Sequence, residues 1–201
     1  TITVDATAIG ASGDTVNITA AAETDAKVII NGGAGVNTIT LSKSVNVGDT
    51  VAAGAGDDII VSALNSGTAY LTSADVVDGG LGDDTLQFAA NVTATDAIFE
   101  NVSSVETITG TGTDVSLDLT LGAFADAAGI RTINLSDTGT GASDEVVTIG
   151  AGFTSNLTID LDADGDGINT VTATNYTGNL SVTALGSDID TASDTVLTGG
   201  T

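Results

Sequence analysis

Apolar and polar residues alternate in short stretches along this chain. Val115-Ser116-Leu117-Asp118-Leu119-Thr120-Leu121 alternates strictly, as do Leu157-Thr158-Ile159-Asp160-Leu161 and Val45-Asn46-Val47. A period of two marks strands with one buried face. Helical signal is confined to Thr95–Glu100, which reads as a capped helical turn, and to Gly122–Gly129. Neither is long enough to make an α/β protein. The pattern predicts an all-β fold with at most one or two short helices.

Internal repeats specify the kind of β fold. Gly79-Gly80-Leu81-Gly82-Asp83-Asp84-Thr85-Leu86-Gln87 fits the nonapeptide G-G-x-G-x-D-x-U-x at every specified position. The stretch 53–61 (Ala-Gly-Ala-Gly-Asp-Asp-Ile-Ile-Val) fits except for Ala53, and 32–40 fits with Asn37 in place of Asp. A looser copy at 164–172 carries Asn169. A shorter element, Asp or Asn followed by Thr and an aliphatic residue, begins at Asp14, Asn37, Asp49, Asp84, Asn169 and Asp194. Several of its intervals are about 22 to 25 residues, the length of one coil of a stacked solenoid. The expectation is a parallel β-helix or β-roll-like solenoid with Gly/Asp turns. It forms a single unit over 1–201, with a change of texture near residue 90.

Composition removes many functions. The chain has 201 residues, Lys+Arg 3, Asp+Glu 27, a formal net charge of -24, and no Cys, His, Pro, Met or Trp. Without Cys or His there is no zinc finger, iron–sulfur cluster, catalytic Ser-His or Cys-His pair, or disulfide framework. With two lysines (Lys27, Lys43) and Arg131 there is nothing to neutralise phosphates, so nucleic acid is excluded as a partner. Anionic membranes would repel the chain, and no apolar run approaches the length of a span. A mean hydropathy of +0.33 and a 41% hydrophobic share argue for a packed core and against disorder.

The acid is almost all Asp: 23 of the 27 carboxylates, against Glu23, Glu100, Glu106 and Glu145. Asp favours turns, and Asp beside Gly is the usual chemistry of calcium loops. In the nonapeptide the glycines permit φ > 0 and turn carbonyl oxygens toward a common centre, while the sixth-position Asp adds a carboxylate. Candidate ligands are therefore Asp58 and Asp84, with Asp57 and Asp83 beside them and the glycine turns at Gly54, Gly56, Gly80 and Gly82. Asn37 and Asn169 keep an oxygen without the charge, so their turns bind weakly or serve as plain turns. A second cluster, Asp160, Asp162, Asp164 and Asp166, includes a D-x-D-x-D-G opening, but Ala173 stands where an EF-hand needs Glu. Asp137, Asp144 and Glu145 form a weaker candidate. The alternative reading of every Gly-Asp-Asp is a favourable turn and nothing more.

Catalysis finds little support. Paired carboxylates can hydrolyse glycosidic bonds, but the aromatic side chains are only Tyr70, Tyr176, Phe88, Phe99, Phe124 and Phe153. Phe88 and Phe153 read as core or coil-end plugs. The chain is expected not to be an enzyme. Seven N-x-[ST] sequons, at Asn17, Asn91, Asn101, Asn134, Asn156, Asn175 and Asn179, are weak candidates for sugar attachment.

The nonapeptides at 53–61 and 79–87 resemble the repeats-in-toxin (RTX) family of secreted calcium-binding proteins. The Thr-rich stretch with Val105-Glu106-Thr107-Ile108 and Ile130-Arg131-Thr132-Ile133-Asn134-Leu135 resembles bacterial surface-layer proteins. The resemblance implies export, Ca²⁺ as the cofactor and assembly into a lattice. It departs from the family in having single, spaced nonapeptides and no visible C-terminal secretion signal. The resulting expectation is an extracellular structural protein, a calcium-stabilised solenoid that self-assembles into a surface layer, sheath or filament. The alternative is a repeat or binding module of a large calcium-dependent adhesin, with cell-surface polysaccharide as a possible partner. The ending Leu197-Thr198-Gly199-Gly200-Thr201 reads as a turn motif cut short, which suggests a segment of a larger protein.

Overall fold

The structure is a computed structural model and describes residues 1–9, 13–65, 68–89, 91–111, 116–135, 145–161, 169–183 and 196–198. The chain winds as a parallel β-solenoid. Sheet I contains β1 (Ile2–Asp5), β3 (Val28–Asn31), β5 (Thr50–Ala55), β9 (Val76–Leu81) and β12 (Val102–Ser103), in that spatial order. Sheet II is the spine. Its order is β2 (Thr15–Thr19), β4 (Val36–Thr40), β6 (Ile59–Ser62), β10 (Thr85–Phe88), β13 (Thr107–Gly110), β15 (Thr132–Asn134), β17 (Leu157–Asp160) and β19 (Leu180–Thr183). Sheet III contains β11 (Val92–Ala94), β14 (Leu117–Leu121), β16 (Val146–Ile149), β18 (Thr170–Thr172) and β20 (Val196–Thr198). A small antiparallel hairpin joins β7 (Leu64–Asn65) to β8 (Thr68–Ala69).

Register explains the alternation. One inward position of sheet II stacks Ile18, Ile39, Ile60, Leu86, Ile108, Ile133, Ile159 and Val182, one residue per coil. Ile39, Ile60, Ile108, Ile133 and Ile159 are wholly buried. Each contributes roughly 1.5–3 kcal/mol of transfer free energy. The eighth position of the nonapeptide, Ile60 and Leu86, is thus a core rung. Phe88, Phe99 and Phe153 fill the interior, and the Phe153 and Tyr176 rings lie 6.2 Å apart.

Sheets I and III exchange places along the chain. Sheet I ends at β12 and sheet III begins at β11, near the change of texture in the sequence. Beyond β12, helix α1 (Ala123–Ala128) packs on the end of sheet I, and Ala128 O accepts from Val105 N–H at 3.1 Å. Its N-terminus is capped from the preceding coil. Asp96 accepts from the N–H groups of Gly122 (2.7 Å), Ala125 (2.9 Å) and Phe124 (3.2 Å). Gly129, at φ 108°, ends the helix in the left-handed conformation.

Three local expectations change. Val45-Asn46-Val47 is not a strand; the chain bends there, just before Gly48, which sits directly against the Ala74 carbonyl of the next coil. Asp96–Phe99 is a 3-10 turn, but Thr95 makes no side-chain cap; the capping carboxylate, Asp96, serves α1 instead. Coil length varies more than the repeat suggests, from 21 residues (Thr38 to Ile59) to 28 (Asp118 to Val146).

Candidate metal centre

The Gly-Asp turns stack at the entrance to sheet II. Asp58 and Asp84 directly precede β6 and β10, as Glu106 precedes β13, and Asn37 is the second residue of β4. The three carboxylates accept from backbone N–H groups of the neighbouring coil. Asn37 N–H donates to Asp58 Oδ1 at 2.6 Å, Asp58 N–H to Asp84 Oδ1 at 2.7 Å, and Asp84 N–H to Glu106 Oε2 at 2.8 Å. The result is a four-coil ladder running Asn37, Asp58, Asp84, Glu106.

Asn37 closes its end completely. Its amide Nδ2 donates to Gly35 O (2.8 Å), Ala53 O (3.0 Å) and Asp58 Oδ1 (2.9 Å), and Oδ1 accepts from Gly33 N–H at 3.4 Å. Asp58 and Asp84 are as buried as Asn37, at 1% and 0% exposure, yet Oδ2 of each has no hydrogen-bond partner. Asp84 Oδ2 occupies the place that Nδ2 has in Asn37. A Cβ on Gly79 would lie 2.6 Å from Asp84 Oδ2 and collide with Ser104 O; one on Gly32 would lie 3.1 Å from Asn37 Nδ2 and collide with Ala53 O. The aspartate therefore presents an acceptor where the asparagine presents a donor.

The electrostatic consequence is large. Burial, reinforced by the charges of Asp58, Glu106 and Asp57, pushes the Asp84 carboxyl up to about 6. Burial also raises Asp58, with the Asp57 charge adding to it and hydrogen bonds from Asn37 opposing it. Stacked carboxylates in a dry site favour anything that neutralises them, whether a proton or a cation.

Asp57 and Asp83 form a separate, exposed row, in which Asp83 N–H donates to Asp57 Oδ1 at 3.0 Å. The turn glycines are packed against the adjacent coil. They serve close stacking: a Cβ on Gly54, Gly80 or Gly82 would collide with the carbonyl oxygen of Gly33, Gly54 or Gly56 in the adjacent coil. Their φ angles, 118°, 104° and 135°, and the 106° of Gly56, also exclude most side chains. Among the described residues no group of three or more carboxylates converges as a ready metal cluster. Two carboxylate rows flanked by turn carbonyls are the donor set available. That set is all oxygen, the donor type that Ca²⁺ takes.

The second cluster is only partly in view. Asp160 ends β17 on the outer face of sheet II, and Asn169 precedes β18 of sheet III, so these two belong to different sheets. Asp162, Asp164 and Asp166 lie outside the described residues, as do Asp137 and Asp144. Asn169 takes the acceptor role that Asp58 and Asp84 have in sheet II, its Oδ1 accepting from Glu145 N–H of the preceding coil at 3.3 Å.

The expected ligands omit a second buried ladder, at the entrance to sheet I. Asp49 N–H donates to Asp75 Oδ1 at 2.6 Å, and Asp49 in turn accepts from Val28 N–H (3.2 Å), Ser42 N–H (2.8 Å) and Ser42 Oγ (3.1 Å). The Asp-Thr-aliphatic element at Asp49 signals it. A groove of about 570 Å³, lined by Ala69, Leu71, Val92 and Ile98 among others, has Asp118 as its sole titratable lining residue.

No known protein family, no curated protein and no solved structure matches the chain.

Proposed function

We propose that this chain is an extracellular structural protein, a β-solenoid stiffened by Ca²⁺ at its stacked Gly-Asp turns, which self-assembles into a surface layer, sheath or filament. The supporting observation is the Asp58–Asp84 pair: two buried carboxylates in adjacent coils, each with an oxygen that nothing in the fold satisfies. The strongest charges acting on Asp84 are negative. Asp58 and Asp84, with Asp57 and Asp83 outside them, would hold the ion, which supplies charge neutralisation and cross-links consecutive coils. Calcium binding the folded chain and not the unfolded one stabilises by mass action. It also relieves self-repulsion of the -24 charge.

Export and assembly rest on the resemblance to RTX and surface-layer proteins and on the absence of Cys from the sequence. Electron microscopy of the purified protein with Ca²⁺ and with EGTA tests the proposal. Ordered sheets or fibres with calcium, lost in EGTA, are expected. Dispersed particles in both conditions, together with affinity for cell-surface polysaccharide, would favour the adhesin reading.

A further inference from the structure

Sheet II buries one side and presents the other as a two-column array. Its first outer column runs Asn17, Thr38, Ile59, Thr85, Thr107, Thr132, Thr158, Ser181. The second continues alongside, from Thr19 and Thr40 to Asp160 and Thr183. Asp160 is the one charged residue among these outer positions. Elsewhere the surface is acidic: Asp5 and Asp78 stand exposed on sheet I, Asp57 and Asp83 at the turns, and Asp118 on sheet III.

We propose that this outer face of sheet II is where two copies of the chain meet, face to face and antiparallel. The inference rests on the self-assembling reading above and names its contact surface. In a chain of -24 charge, copies approach with little repulsion through a face that carries one carboxylate, Asp160, among sixteen outer positions. Thr and Ile are stiff at χ1, so ordering these rungs costs little side-chain entropy. Orientation follows from Asp160, which sits on the seventh of eight rungs. A parallel arrangement sets both Asp160 carboxylates on the same rung of the contact. An antiparallel two-fold places each opposite the Thr38/Thr40 rung of its partner, and such an isologous contact closes on itself. By strand spacing the face measures on the order of 400 Å², about half of the ~800 Å² per partner of a stable pair. Isolated pairs are therefore weak, and the contact gains strength when many copies are held in an array.

The test is sedimentation velocity over a concentration series in calcium buffer. It compares wild type, T107D/T109D in the centre of the face, and T148D/T172D on the outer side of sheet III, with folding checked by circular dichroism. Wild type and T148D/T172D should associate alike, and T107D/T109D at least ~10-fold more weakly, because juxtaposed like charges cost several kcal/mol. If T107D/T109D loses its strand signal, T158D serves, with a smaller weakening expected. Association of T107D/T109D equal to wild type overturns the face and leaves self-assembly standing. Equal loss in T148D/T172D overturns it as a general charge effect. A wild type monomeric at every concentration, with no arrays by microscopy, overturns both. So does a monomeric wild type whose binding to insoluble cell-wall polysaccharide is lost in T107D/T109D, since the face then belongs to another partner.

Discussion

The backbone N–H of Asp58 donates to Asp84 Oδ1 at 2.7 Å, tying one coil to the next through a carboxylate whose other oxygen has no partner. Asn37 shows how the same position is completed, with an amide that donates to Gly35 O and Ala53 O. Asp84→Asn replaces the unpartnered acceptor with a donor and removes a buried charge. In EGTA the variant should melt above wild type, by about 4–8 °C for each kcal/mol gained in a small domain and less in a chain of this length. Calcium should then raise its melting temperature less than that of wild type. A variant less stable than wild type in EGTA contradicts this account of the ladder.

The pH dependence has a definite sign. Asp84 is raised from 3.8 to about 6 in the fold, so the native state holds its proton more tightly than the unfolded chain. Its contribution is full below about pH 4 and is lost as pH rises through 6. Asp58 and Asp75 are raised by burial and act in the same direction. Thermal melts in EGTA should show stability falling from pH 4 to 6, with a shallower fall in Asp84→Asn. Equal slopes in the two proteins would remove Asp84 as the cause.

The turn glycines are needed for coil stacking. A Cβ at Gly82 meets the Gly56 carbonyl oxygen, on a backbone already at φ 135°. Gly82→Ala should cost about 3 kcal/mol or more through clash and strain. The loss in chemical denaturation should be the same with calcium and with EGTA. A loss confined to calcium buffer would show that the glycine shapes the ion site instead.

Asp49 supplies the complementary control. It accepts three hydrogen bonds, from Val28 and Ser42, in the ladder of sheet I. Asp49→Ala leaves those donors without a partner and should cost about 3 kcal/mol. Denaturation midpoints should show that cost with or without calcium. If the cost vanishes in EGTA, Asp49 is itself a calcium ligand.

Much of the fold was legible because stacking imposes it on the sequence. The aliphatic residue of each Asp/Asn-Thr-aliphatic element at Asn37, Asp84 and Asn169 is a core rung, and Asn169 ties coils of sheet III together as Asp58 and Asp84 tie those of sheet II. Phe88 and Phe153 lie in the core as expected. The nonapeptide separates Asp58 from Asp57: the sixth position shares the inward side with the core residue Ile60, and Asp57 is turned out. Glu106 escaped the motif because its longer side chain reaches the same N–H from a turn without the glycine pattern. Asp96 looked like part of its own helix, whereas the helix it caps lies one coil away. Contacts between coils carry these last two assignments, and local spacing does not encode them.

The most direct test of the central claim is the thermal melt of the wild-type chain at neutral pH in millimolar Ca²⁺ and in EGTA. Binding at 100 times Kd stabilises by ~2.7 kcal/mol. The account predicts a clearly higher melting temperature with calcium, with most of the difference lost in D58N/D84N. Superimposable wild-type melts in calcium and EGTA would contradict it.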